Sequence, residues 1–265
     1  MSTLSAASQD AQTRVQMEAI ENEIKATQPL LSKQLHLLET LSAIYPPDDE
    51  GGTFFRAGLA DLATRHDRIR CVRGDGNCFY RAFVFLLCEG FVGTDGDVDV
   101  DIAGREKITK LVKESLTFCE TAGFDAFTLE TFYDELVELV EALSTLTPEK
   151  LHEKLSEENG ISEYVTWFMR ALVGGQMRKD AEKFGLFLPE NYFGDLEAFV
   201  TKEVLPMGRE CEELHITALC DYFGVGVEIE YLDGHALGAG GLRRHRIGKE
   251  EASTTIRLLY RPGHY

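Results

Sequence analysis

The chain has 265 residues, 44% of them hydrophobic and 27% charged, enough apolar material for one large globular domain or two small ones, which excludes disorder throughout. No apolar run approaches the roughly 18 to 20 residues that cross a bilayer, and the start, MSTLSAASQD, lacks the charged-then-apolar layout of a secretory signal. With 27 Lys+Arg against 45 Asp+Glu the net charge is -18, so nucleic acid and anionic membranes are repelled over most of the surface and a protein partner with a basic face fits better.

Residues 1–46 form a zone of their own: polar and rich in Gln, Glu and Ala up to Ile24, then leucine-rich (LLSKQLHLLETLSAIY), ending at the loop PPDDEGG. Ser8 can cap a first helix whose apolar positions Val15, Ala19 and Ile20 make only a thin stripe. Such a stripe holds a helix weakly, so the zone reads as a solvated arm, with folding against a partner as the functional alternative.

From about residue 53 the pattern is that of a packed domain. Phe79, Ala82, Phe83 and Leu86 recur at i, i+3, i+4 and i+7, and Gly90 closes that helix, which leaves Cys78 in its first turn. The acidic stretch DGDVDVD (95–101) offers carboxylates at alternate positions of a calcium loop, but Val100 stands where the sharp turn requires glycine, and a solvated loop is expected instead. Helices follow at about 104–119, at 129–143, and at 148–158, the last opening on Thr147-Pro148. Ser162 can cap a helix that ends before Gly174-Gly175, and Asp195 can cap another.

The last quarter changes period. After a helix at about 213–223, Val225 to Leu232 (VGVEIEYL) alternates as a half-buried strand, and Thr254 to Tyr260 (TTIRLLY) reads as a second. The basic cluster RRHR (243–246) between them reads as an exposed loop, and Arg261-Pro262-Gly263 ends the second strand just before His264. The sum is an α+β domain with helices packed around a small central sheet.

Six cysteines in a chain this size are sparse, and none forms a CxxC pair or sits near a histidine at metal-ligand spacing, so neither disulfides nor a structural zinc is expected. Cys88, Cys119 and Cys220 fall within or at the ends of apolar helical patterns, as buried cysteines do. Cys78 differs. Unpaired N–H groups and the positive dipole end at a helix N-terminus favour thiolate over thiol. The preceding Gly74-Asp75-Gly76-Asn77 lets the backbone turn tightly, so its N–H groups can converge on an oxyanion. A cysteine nucleophile also wants an imidazole. Of seven histidines, His264 is the best placed, coming off a strand end behind a rigid-then-permissive Pro-Gly turn; His215 could be a cap, a core residue or a surface contact. On pattern alone, a Cys78–His264 pair and two unrelated structural residues remain equally open.

GDGNCFYRAF (74–83), ELHITALCDYFGVGVEIEYLD (213–233) and IRLLYRPGHY (256–265) resemble the otubains, the ovarian-tumour-domain (OTU) cysteine deubiquitinases, and further stretches (125–141, 162–175 and the leucine-rich arm) fall in the expected order. The resemblance implies a papain-like OTU fold, with residues 1–46 as a helical arm and 47–265 as the catalytic domain. It implies that Cys78 attacks the carbonyl of ubiquitin's terminal glycine in an isopeptide bond of polyubiquitin, with narrow linkage preference, and that His264 serves as base and acid. Asp75 matches the motif aspartate, Gly74, Gly76 and Asn77 shape the oxyanion loop, and His215 is a candidate substrate contact. No metal or organic cofactor is implied. In the family an aspartate that orients the histidine follows His-Tyr, whereas this sequence stops at Tyr265, and truncation is the expected reason. The same resemblance allows a second reading, a non-catalytic regulator that binds ubiquitin-conjugating enzymes and ubiquitin through the arm. A general papain-like peptidase is disfavoured. A soluble, cytoplasmic protein is expected, with the nucleus also open to it.

Overall fold

The computed structural model describes residues 15–16, 19–20, 22–45, 52–93, 101–262 and 264–265. Its architecture is mixed, as the change of period along the chain predicts. The helices are α1 (Leu37–Ile44), α2 (Thr53–Leu62), α3 (Cys78–Glu89), α4 (Ile102–Thr121), α5 (Ala126–Glu141), α6 (Pro148–Ser156), α7 (Ile161–Lys179), α8 (Ala181–Gly185), α9 (Leu196–Phe199) and α10 (Glu213–Phe223). A three-stranded sheet runs β4 (Arg244–Ile247), β3 (Gly226–Tyr231), β5 (Thr255–Tyr260), with β4 antiparallel and β5 parallel to β3. A second, two-stranded sheet pairs β1 (Leu35–His36) with β2 (Arg68–Ile69).

Four of these helices begin where a short polar side chain accepts from an unpaired N–H. Asp101 accepts from Gly104, Asp125 from Phe127, Thr147 from Lys150 and Asp195 from Ala198. α7 departs from expectation twice. It starts one residue before Ser162, whose side chain is buried rather than capping, and it runs straight through Gly174-Gly175 to Lys179. These glycines serve close packing: a Cβ on Gly174 would lie 3.1 Å from Val200 and 3.2 Å from Phe124, and one on Gly175 3.2 Å from Phe118.

The basic cluster is also corrected. Arg244 to Ile247 is a strand, because Arg246 stands opposite Glu228 and Arg244 opposite Glu230, and opposite charges across an antiparallel pair favour pairing. Val15 and Ile20 are helical and exposed, while Ser8 and the acidic stretch 95–100 lie outside the described residues. The leucine-rich half of the N-terminal zone is not a solvated arm. Leu30, Leu31, Leu37 and Leu41 are buried, and Leu37 and Leu41 join Leu59, Leu62, Leu232 and Leu242 in a small satellite core. Backbone bonds fasten this segment to the strand leading into the cysteine loop: Ser32 N–H to Cys71 O (2.8 Å), Arg73 N–H to Leu30 O (3.1 Å) and Leu37 N–H to Asp67 O (2.9 Å).

The main core is built around α3 and α7, both apolar on nearly every side, as a central helix must be. Phe79, Tyr80 and Phe83 of α3 and Phe168, Met169 and Leu172 of α7 are fully buried. This burial anchors the first residue of α3, Cys78, in a rigid frame.

Candidate active site

Cys78 opens α3, with Asn77 as its N-cap. The turn before it needs glycine at one position: Gly76 has φ 76°, and a Cβ there would run into the Gly208 carbonyl. Three buried arginines hold this turn. Arg81 donates from Nη1 to Asp75 Oδ1 (2.6 Å), the same oxygen that accepts the Asn77 N–H (3.0 Å). Arg73 donates from Nε to Gln28 O (2.9 Å) and forks onto the Glu158 carboxylate. Arg170, fully buried in α7, donates to Gly76 O (2.9 Å), to Asn77 Oδ1 (2.8 Å from Nη2, 3.2 Å from Nε), to Val204 O (2.9 Å) and to Arg209 O (2.7 Å). The Tyr80 ring lies beneath its guanidinium, 4.5 Å to the centroid. Burial pulls this guanidinium below its ordinary pKa.

The C-terminal motif comes to the same place from the sheet. Arg261 and His264 exchange both backbone hydrogen bonds, each 2.8 Å, so the chain reverses between them. The Tyr265 N–H then faces the Cys78 sulfur together with the Phe79 N–H, and the Tyr265 ring packs edge-on against Phe79 and Tyr260. The His264 ring lies beside the cysteine loop: a Cβ on Gly74 would be 3.4 Å from its Nδ1. That Nδ1 is buried and has no hydrogen-bond partner among the described residues. A cleft of about 240 Å³ runs from His264 and Tyr265 past Cys71 and Leu258 to Phe85 and Leu41.

Electrostatically the resting site differs from the helix-dipole expectation. Burial is the largest influence on the Cys78 thiol and raises its pKa above the ordinary value; Asp75 adds to the rise, and the Tyr265 and Phe79 N–H groups with Arg81 oppose it. Burial also lowers the His264 pKa, helped by Arg261 and opposed by the Val72 carbonyl and Asp75. Both shifts favour the neutral thiol and neutral imidazole over the ion pair.

The loop amides are shared out unevenly. The Gly74 N–H donates to Gln28 Oε1 (2.9 Å) and the Asn77 N–H to Asp75, whereas no hydrogen bond of the Gly76 or Cys78 N–H is found among the described residues. Asp75 braces the loop and is bonded to Arg81, not to His264. His215 is corrected as a substrate contact. It is fully buried at the start of α10, where its Nδ1 accepts from the Glu212 N–H (3.1 Å) in a capping box. Its pKa is lowered to about 4, by burial and then by the charge of Arg170. Sequence reasoning missed Arg170, Arg73 and Gln28. One signal was available for Arg170: a lone arginine inside the apolar run YVTWFMRALV, since a buried arginine must find partners.

Residues 16–265 match the family model for Peptidase C65 Otubain. Ubiquitin thioesterase OTUB1 of Homo sapiens is 30% identical over 256 residues, which span 97% of this chain and 89% of that protein. An ovarian-tumour-domain-containing deubiquitinating enzyme of Arabidopsis thaliana is 31% identical over 242 residues, 86% of this chain and 78% of that protein. A solved structure of h/ceOTUB1 with ubiquitin aldehyde and UBC13~Ub superposes with a TM-score of 0.84 at 28% identity, covering 97% of this chain and 96% of that one. Another, with UBCH5B~Ub in place of UBC13~Ub, superposes at 0.82 and 27%.

Proposed function

The chain belongs to the otubain family, and from that premise we propose that Cys78 is the nucleophile, and His264 the base and acid, of a ubiquitin-directed thiol hydrolase. The protein is a cysteine-type deubiquitinase with the α+β fold of its relatives. One observation supports the site assignment above the others: the DGNC and RPGHY segments, at opposite ends of the domain, meet, since a Cβ on Gly74 would lie 3.4 Å from His264 Nδ1 and the Tyr265 ring lies 5.7 Å from that of Phe79.

The chemistry follows from the groups present. His264 takes the thiol proton as sulfur attacks the carbonyl of ubiquitin's terminal glycine, forming a C–S bond and a tetrahedral oxyanion. The Gly76 and Cys78 N–H groups, which make no hydrogen bond among the described residues, are the donors we assign to that oxyanion. Collapse expels the lysine amine, which takes its proton from the imidazolium, and water then resolves the thioester by the same relay. Binding of ubiquitin must supply interactions that favour thiolate and imidazolium enough to offset the burial that keeps Cys78 a thiol. The residues call for no metal or cofactor in this sequence of steps.

Reaction with a ubiquitin probe bearing a C-terminal electrophile, followed by intact mass and peptide mapping, tests the assignment. A single adduct at Cys78, lost in Cys78→Ala, supports it; a folded protein that forms none sinks it. A second reading is favoured by the solved relatives that hold conjugating-enzyme~ubiquitin complexes: the protein binds a charged ubiquitin-conjugating enzyme and blocks transfer. Cys78→Ala should spare that inhibition.

A further inference from the structure

We propose that Arg170 is a positioning residue of the thiol site: its guanidinium fastens the Gly76-Asn77 turn to the 204–209 segment and so fixes the Gly76 and Cys78 amides, which make no hydrogen bond among the described residues. The proposal rests on the Cys78 reading above.

The guanidinium reaches four acceptors on two stretches of chain, and none of the four is a carboxylate. On one side are Gly76 O and Asn77 Oδ1, on the other Val204 O and Arg209 O. The Gly208 N–H donates to the same Asn77 Oδ1 (3.1 Å), so that one amide oxygen is shared by both stretches. The stretches also touch directly, since a Cβ on Gly76 would sit 3.0 Å from the Gly208 Cα and against its carbonyl. Movement of either is therefore transmitted to the other. Lysine cannot replace this arrangement: an ammonium at the end of a flexible stem lacks the planar fork that meets acceptors in several directions at once. An apolar side chain would leave buried carbonyls unsatisfied.

The two amides with no hydrogen bond among the described residues, Gly76 N–H and Cys78 N–H, flank the residue whose side chain Arg170 holds. Their aim at a developing oxyanion depends on the Asn77 geometry. Displacing such donors by about an ångström costs on the order of 100-fold in rate. Burial, the Tyr265 and Phe79 N–H groups, Asp75 and Arg81 are the main influences on the thiol itself, whereas Arg170 reaches the site through Gly76 O and Asn77 Oδ1. Arg170 should thus matter to steps that build a tetrahedral oxyanion and not to simple alkylation of the sulfur.

The test compares the unmodified chain with Arg170→Lys, Arg170→Met and Asn77→Ala, using hydrolysis of a ubiquitin C-terminal fluorogenic amide, binding of ubiquitin aldehyde, iodoacetamide alkylation of Cys78 and thermal melting. For Arg170→Lys, kcat should fall about 100-fold with KM within about twofold, aldehyde affinity should fall in step with kcat, and the alkylation rate should hold. Asn77→Ala should show the same split, and combining it with Arg170→Lys should add little, as expected for one unit. If Arg170→Met does not fold, Arg170→Lys and Asn77→Ala decide the matter. An active parent with an equally active, folded Arg170→Lys overturns the positioning role alone. Parallel loss of alkylation and hydrolysis also overturns it, in favour of fold maintenance. A parent that neither hydrolyses the amide nor binds ubiquitin aldehyde overturns the positioning role together with the Cys78 reading.

Discussion

The two halves of the site, the cysteine loop and the histidine turn, are held in different ways. The cysteine half is fixed by three buried arginines: Arg81 and Arg170 bond to the 75–77 turn, and Arg73 ties the start of that loop to Gln28 and Glu158, ahead of a helix whose first residues are almost wholly buried. The histidine half is a chain reversal held by two backbone bonds and by ring contacts of Tyr265, with the imidazole half-exposed, its Nδ1 unpartnered, and a cleft of about 240 Å³ beside it. A nucleophile must be held where the carbonyl arrives, and a turn that carries only φ > 0 geometry cannot hold itself. The base has to exchange protons with two successive groups, and looser support suits it.

The contrast can be broken from either side. His264→Ala should produce the largest effect, a loss of at least about 10³-fold in kcat/KM, measured on a ubiquitin C-terminal amide, with the melting temperature nearly unchanged because that half bears little of the packing. Gly76→Ala should do the opposite in kind. Its positive φ and the Gly208 carbonyl leave no room for a Cβ, so a loss of about 4 kcal/mol is expected, read by denaturant unfolding, with activity falling as a consequence.

Acid should weaken the braced half in particular. His215 lies close enough to Arg170 for that charge to depress it, and its folded pKa is about 4 against 6.5 unfolded. The unfolded chain therefore binds the extra proton first, and stability is present in full above pH 6.5 and is lost as pH falls toward 4. The loss is on the order of 3 kcal/mol at most. His215→Gln should flatten that part of the unfolding free energy against pH; an unchanged slope would place the acid sensitivity elsewhere.

The smallest effect sharpens the comparison most. Because the Cys78 thiol is raised and His264 lowered, iodoacetamide alkylation of the free protein should be slow at pH 6 to 7 and climb above the ordinary thiol value of about 8.5. A rate already flat from pH 6 would mean that a thiolate–imidazolium pair exists at rest, and that the helix end outweighs burial after all.

Much of the frame is legible from local chemistry. Thr147 and Asp195 cap helices as their places before apolar periodicity imply, and β3 and β5 appear where the period turns to two, whereas the caps at Asp101 and Asp125 emerge only in the structure. Cys78 and His264 stand out because each sits at the boundary of an element beside glycine or proline. Reading fails where contacts decide. Gly174 and Gly175 look like a helix stop until Val200, Phe124 and Phe118 are placed against them. The basic run 244–247 looks like a loop until Glu228 and Glu230 face it, and the leucine-rich N-terminal segment looks like a free arm until its Ser32 N–H meets the Cys71 carbonyl and its Leu30 carbonyl the Arg73 N–H.

The sequence by itself determined which groups are available: a thiol at a helix start behind a glycine turn, an imidazole behind a strand, and a helical middle before a β-rich last quarter, because propensity, capping and side-chain chemistry act over a few residues. Tertiary structure decided how those groups are held. It made His215 a buried cap instead of a contact, bound the Gly74 and Asn77 amides while giving those of Gly76 and Cys78 no partner among the described residues, and set Arg170 between two stretches of chain. It also reversed the expected tilt of the thiol toward its ionised form, because desolvation depends on everything that surrounds a side chain, and a helix dipole only on its own helix.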